Sequence, residues 1–115
     1  MPRKLAMKYL LDLEQLISEL EKVVVFCNRD FFQFNENFMA LRTVERNLEL
    51  MGEANRQLHL CTPEIKIAHA KDIIGLRNML AHAYDSIDAT VLWKILLRDI
   101  PDLTAEVLLH IGQTK

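Results

Sequence analysis

Turn-forming residues are scarce in this chain of 115 residues, which holds three glycines and three prolines. So few leave little material for the many tight turns of a β-sandwich or barrel. Cysteine is equally thin: Cys27 and Cys61 stand 34 positions apart, outside any CxxC pair or Cys/His quartet. A structural zinc site is therefore not expected, and the two read as buried thiols in a reducing compartment. His59, His69, His82 and His110 are too scattered for a HExxH-type pair, so neither metal nor cofactor is assigned. The longest uninterrupted apolar run, Val23 to Cys27, is far short of the roughly 20 residues that span a bilayer. The opening Met-Pro-Arg-Lys-Leu is basic but has no apolar stretch behind it, so no signal peptide is expected. Neither sign of charge dominates, with a formal net charge of −2, which argues against a broad basic face for nucleic acid. It leaves room for an enzyme that touches a few phosphates and releases them. The expectation is a single cytoplasmic domain over residues 1–115, without a membrane partner.

What the chain does have is helical periodicity. Apolar residues at Leu5, Leu10, Leu13, Leu16, Ile17, Leu20, Val23, Val24 and Cys27 place one stripe on a first helix over about residues 3–27. Asn28-Arg29-Asp30 interrupts it, and Phe31, Phe32 and Phe34 read as a short connection that plugs the end of a bundle. A second helix carries Phe38, Leu41, Val44, Leu48, Met51, Ala54 and Leu58 on one face, with Arg42, Arg46, Glu49, Glu53 and Arg56 elsewhere on the wheel. Thr62-Pro63-Glu64 has the chemistry of a helix start, cap then proline then acid, and predicts a third helix running toward Tyr84 with a bend near Gly75. Asp85 to Asp88 predicts a stop and a new N-cap at or near Asp88, leading a fourth helix through Val91, Leu92, Ile95 and Leu96. Pro101 either ends that helix or begins a fifth, whose stripe is Leu103, Val107, Leu108 and Ile111. Together these predict an all-α, antiparallel up-and-down bundle of four to five helices.

The polar chemistry concentrates in Gly75-Leu76-Arg77-Asn78-Met79-Leu80-Ala81-His82-Ala83-Tyr84. At 100° per residue, Asn78 and His82 share one helix face and Arg77 and Tyr84 another. Arg77 and His82 lie about 140° apart, so they flank a cleft rather than stack. They converge on one phosphate only with something between them or a second copy facing them. Alone, His82 reads as a core or helix-end histidine, Arg77 as a surface ion-pairing residue and Tyr84 as an amphipathic interface residue. Asn78 either orients His82 or bonds a neighbouring backbone group. Glu49 and Glu53 form an i,i+4 acidic pair beside Gly52 that reads as a solvated face, the alternative being a supporting contact to Arg77 or the partner protein. Gly52 costs helix stability and suits a close helix approach, and Trp93 reads as core.

Arg77-x4-His82-x-Tyr84, preceded by Gly75-Leu76 and followed by Ile87-Asp88 and Trp93, resembles the signature of HEPN-domain proteins. It is most similar to the small HepT-like ribonuclease toxins, which are encoded beside a minimal nucleotidyltransferase antitoxin. Glu45-Arg46-Asn47-Leu48-Glu49-Leu50-Met51-Gly52-Glu53-Ala54 resembles the same family's second helix, and the likeness extends to about Pro101. It departs where the family often carries Pro-Trp and this chain has Ile67-Ala68-His69. The resemblance implies a homodimeric, metal-independent endoribonuclease acting on RNA, with Arg77 and His82 catalytic and Asn78 and Glu53 supporting. It also implies a cognate nucleotidyltransferase that silences the enzyme by transferring AMP to Tyr84. The residue types suit that chemistry. Histidine serves as acid or base for the 2′-hydroxyl route, and arginine offers a permanent forked cation to the phosphorane oxygens. A two-fold dimer would supply the second histidine that one motif lacks.

Overall fold

A computed structural model describes residues 2–70, 72, 73, 75 and 88–115. The chain folds as an all-α helical bundle, with α1 at Pro2–Phe26, α2 at Phe31–Glu36, α3 at Phe38–Cys61, α4 at Ala89–Lys94 and α5 at Ile100–Thr114. Residues 68–70, 72, 73 and 75 are also helical, and Ile95–Asp99 is a π-helical segment joining α4 to α5. The expected course of the third helix through Arg77 to Tyr84, and the stop at Asp85 and Ser86, lie outside the described residues.

The bundle is built on the seam between α1 and α3. Ala6, Leu10, Leu13, Ile17, Leu20, Val24 and Cys27 are buried, alternating steps of four and three along α1 and just past its end. Ala40, Val44, Asn47, Met51, Ala54 and Leu58 follow the same alternation on α3, with Leu48 beside them. Such spacing keeps one stripe facing one partner along the whole length of two helices. The helices run antiparallel: the start of α1 at Arg3 and Ala6 lies by Thr62 and Ile65, while Leu16 and Glu19 meet Asn47. Alongside them, α5 returns so that the Arg3 Nε donates to the Thr114 carbonyl at 3.0 Å.

The edges of the expected stripes move. Leu5 is exposed and Ala6 takes its place in the core. Phe38 opens α3 directly after its N-cap, Asn37, and is 70% exposed, because at the first helical position nothing packs above it. Leu108 is half exposed and Ile100 replaces it in the α5 stripe.

Asn47 is the one polar side chain buried among the described residues. Its amide donates to the Leu16 carbonyl at 3.2 Å and to Glu19 Oε1 at 3.0 Å, tying α3 to α1 at the seam. A polar residue in such a seam fixes register, because sliding the helices would strand it unpaired. We expect Asn47→Ala to lower the free energy of unfolding by about 1–3 kcal/mol, measured by urea titration. A change under about 0.5 kcal/mol would show that the amide holds nothing.

Three other sequence expectations are corrected. Phe31 to Glu36 is a short helix rather than an irregular connection: Asp30 caps it, accepting from the Phe32 amide at 2.9 Å. Of its aromatics, Phe34 is fully buried against Trp93 with ring centroids 5.0 Å apart, whereas Phe32 is 75% exposed and plugs nothing. Thr62 is the C-cap of α3, not an N-cap, and the Ile65 amide donates to its carbonyl to close a turn over Pro63-Glu64. The next helical residue is Ala68. Cys27 is buried, and desolvation pushes its thiol up from the usual range, but Cys61 is only half-buried at the end of α3.

Pro101 stands in the first turn of the last helix, as the second of the two sequence alternatives has it, but the coil does not break before it. Backbone angles at Lys94, Ile95, Asp99 and Ile100 are all right-handed helical, so the coil continues from α4 into α5. The Ile100 amide donates to the Ile95 carbonyl, one residue further back than in an α-helix. That wider turn accommodates a proline, which lacks an N–H and whose ring crowds the carbonyl four residues before it.

Candidate functional site

Arg77, Asn78, His82 and Tyr84 lie outside the described residues, whereas the ground leading up to them is described. One face of α3 carries Gly52, Asn55, Arg56, His59 and Leu60, spaced by three, four, seven and eight from the first. This face stands beside the buried stripe and, together with Ile65, Lys66, Ile67, Ala68 and Gly75, lines a groove of about 790 Å³. Three of these lining side chains are basic, Arg56, His59 and Lys66, and none of the described ones is acidic. Gly75, two positions before Arg77 in the sequence, also lines the groove, and a Cβ built there meets nothing within 4 Å.

Glu53 lies one residue off this face on exposed α3 surface. Its carboxylate accepts from Arg56 Nη2 at 3.1 and 3.2 Å and from Gln57 Nε2 at 3.0 Å. The Gln57 amide and the Arg56 guanidinium hold its carboxyl below the usual range. Glu49 accepts from Arg46 at 3.2 Å. Trp93 belongs to the core margin, packed edge-on against Phe31 and tilted against Phe34.

The helical stretch that begins at Ala68 has an isoleucine, Ile67, where a capping side chain would normally stand. The cap comes from another helix. Glu106 of α5 accepts from the Ala68 amide at 3.2 Å and from the His69 amide at 3.1 Å, and its Oε1 also lies 3.1 Å from His69 Nδ1. An anionic acceptor on two free N–H groups complements the positive helix end as well as filling its unmet donors. Ile67, Ala70 and Ile73 are buried below, so the segment is held by packing on one side and the carboxylate on the other. On sequence grounds His69 has no role and Glu106 does not stand out. The available signal was a helix start without a local cap, which has to borrow an acceptor from elsewhere.

Fold and groove thus define an all-α bundle with a basic-lined cleft, in a chain whose sequence carries an Arg-x4-His motif. The family profile described as Ribonuclease HepT-like matches residues 13–108, and the chain belongs to that family. Among its relatives, a Methanocaldococcus jannaschii protein bearing a provisional RNase name is 40% identical over 80 residues, covering 68% of this chain and 72% of that one. A Thermococcus cleftensis protein named as a probable ribonuclease HepT is 32% identical over 100 residues, covering 83% of this chain and 86% of its own. A Caldanaerobacter subterraneus protein, also provisionally an RNase, is 29% identical over 100 residues, covering 83% and 87%. No solved structure matches the chain. Among the described residues, no helix is long and apolar enough to cross a membrane.

Proposed function

We propose that this protein is a metal-independent endoribonuclease, the toxin of a pair whose antitoxin is a minimal nucleotidyltransferase. The observation that carries the reading is the family match over residues 13–108, which spans Arg77, His82 and Tyr84 in the order the ribonuclease motif requires. In this reading one His82 takes the proton of the 2′-hydroxyl, whose oxygen attacks the adjacent phosphorus. A second histidine protonates the departing 5′-oxygen, and Arg77 holds the charge that builds on the phosphoryl oxygens. The second histidine is the His82 of a partner protomer in a two-fold dimer. Asn78 orients His82. Tyr84 is the acceptor of AMP from the antitoxin, a bulky anion that would sit where RNA phosphate must enter.

The test is the chemistry of the ends. The purified protein, with chelator present, should cut RNA to leave 2′,3′-cyclic phosphate or 3′-phosphate ends and 5′-hydroxyls. The same oligonucleotide with one 2′-deoxy residue at the cut position should stay intact there. Equal cutting of the deoxy-substituted strand would end the 2′-hydroxyl mechanism. If the protein leaves RNA intact but accepts AMP from a nucleotidyltransferase, it is a non-catalytic HEPN subunit.

A further inference from the structure

The geometry points to the groove between α3 and residues 65–75 as the track along which a single RNA strand approaches the Arg77–His82 motif, with Lys66, Arg56 and His59 holding its phosphates. This rests on the ribonuclease reading and adds to it a binding site and its residues.

Charge is the first argument. The whole chain carries more acids than bases, 16 against 14, yet the described side chains lining this groove include three basic residues and no acid. That local excess of one sign favours a polyanion. Glu53 does not cancel it. Its ion pair with Arg56 is exposed on both sides, 65% for the arginine and 55% for the glutamate, and such pairs are held weakly enough for a phosphate to take over the guanidinium. Lys66, from the link that follows α3, lines the same groove as Arg56 and His59, so a strand lying in it meets donors from both segments.

Shape and direction are the second. The groove encloses about 790 Å³, well above the 460 and 470 Å³ of two other clefts on the described surface. Its lining also holds apolar side chains, Ile65, Ile67 and Leu60, which suit the faces of unpaired bases better than a hydrated duplex surface. Gly75 lines the part of the groove nearest in sequence to Arg77, and it is not glycine for want of room, since a Cβ there meets nothing within 4 Å. A side chain at this position would project into open space in the groove.

The experiment uses full-length protein carrying His82→Ala and a 2′-O-methylated single strand of about 12 nucleotides, so that binding is read without cleavage. Affinity is measured by fluorescence anisotropy over a salt series. Lys66→Gln with Arg56→Gln should weaken binding about tenfold at low salt and flatten the log–log salt slope by about 1.4, roughly 0.7 for each phosphate no longer neutralised. Arg42→Gln with Arg98→Gln removes the same charge elsewhere and should change little, since Arg42 lies about 20 Å along α3 from Arg56. Gly75→Glu should weaken binding by a similar factor with the melting temperature unchanged or raised, while Gly75→Ala binds as the parent does.

Equal losses in the two double variants would mean general charge attraction and overturn the track. So would unchanged binding in both the Lys66/Arg56 and Gly75→Glu proteins. If those variants instead change the oligomeric state on gel filtration and leave RNA affinity alone, the groove is a protein interface and the track is wrong. Cleavage by the otherwise unaltered chain separates the two readings. A protein that cuts RNA normally with Lys66 and Arg56 replaced keeps its ribonuclease function and loses this groove. A protein that never cuts, yet binds RNA through these residues, keeps the groove and loses the nuclease.

Discussion

His82→Ala is expected to lower RNA cleavage by roughly 10²–10⁴-fold while its unfolding midpoint stays close to that of the parent. The magnitude follows from removing the group that moves protons at both the attacking and the departing oxygen. Arg77→Ala is expected to cost on the order of 10²-fold, because a preorganised cation on the phosphoryl oxygens contributes about 3 kcal/mol in the transition state. The assay is single-turnover cleavage of a labelled RNA, read beside circular dichroism of each variant at equal concentration. In cells, expression of the parent chain alone should arrest growth, and His82→Ala at matched soluble level should not. Activity within about threefold of the parent in the His82→Ala protein would remove this histidine from the chemistry. Loss of activity together with loss of helicity would instead return it to the structural part of a core histidine.

Glu106→Ala is expected to destabilise the fold by about 2 kcal/mol, the largest effect we anticipate from any single partly buried side chain. Its carboxylate accepts from the Ala68 and His69 amides at 3.2 and 3.1 Å, and no residue nearby in sequence replaces it. Removing it leaves two helix-end donors to water beside a segment whose Ile67, Ala70 and Ile73 are buried. Glu106→Gln keeps one accepting oxygen and should cost about half as much. Both are to be read from urea titrations at neutral pH. A cost below about 0.5 kcal/mol for the alanine variant would show that the amides are satisfied without it. The consequence for activity is separate. The capped stretch begins nine residues before Arg77, so well below its melting temperature Glu106→Ala should still cleave more slowly than a variant equally destabilised at the distant Asn47.

The helices themselves were legible because burial in a bundle demands a stripe of apolar residues every three or four positions. The α1 and α3 stripes predicted from spacing differ from the observed ones mainly at their ends, at Leu5 and Phe38, where a helix has lost its neighbour. Asn47 was illegible as a core residue. An asparagine enters a seam only when a carbonyl and a carboxylate meet it there, and Leu16 and Glu19 are about thirty residues away in the chain. Thr62-Pro63-Glu64 misled for a related reason: the same three residues suit a helix start and a tight turn, and the C-terminal end of α3 claimed Thr62 first.

For the candidate site the division is similar. The sequence alone determined the residue types, the Arg-x4-His-x-Tyr spacing and the family to which they belong, since these are properties of order along the chain. Only the tertiary structure brought Lys66, Arg56 and His59 to one groove, and put Glu106 on the Ala68 amide from a helix 38 residues downstream. Local rules govern which residues coil and where an apolar stripe lies. Which charge faces which across a groove depends on how the coils pack, and no spacing along the chain records that.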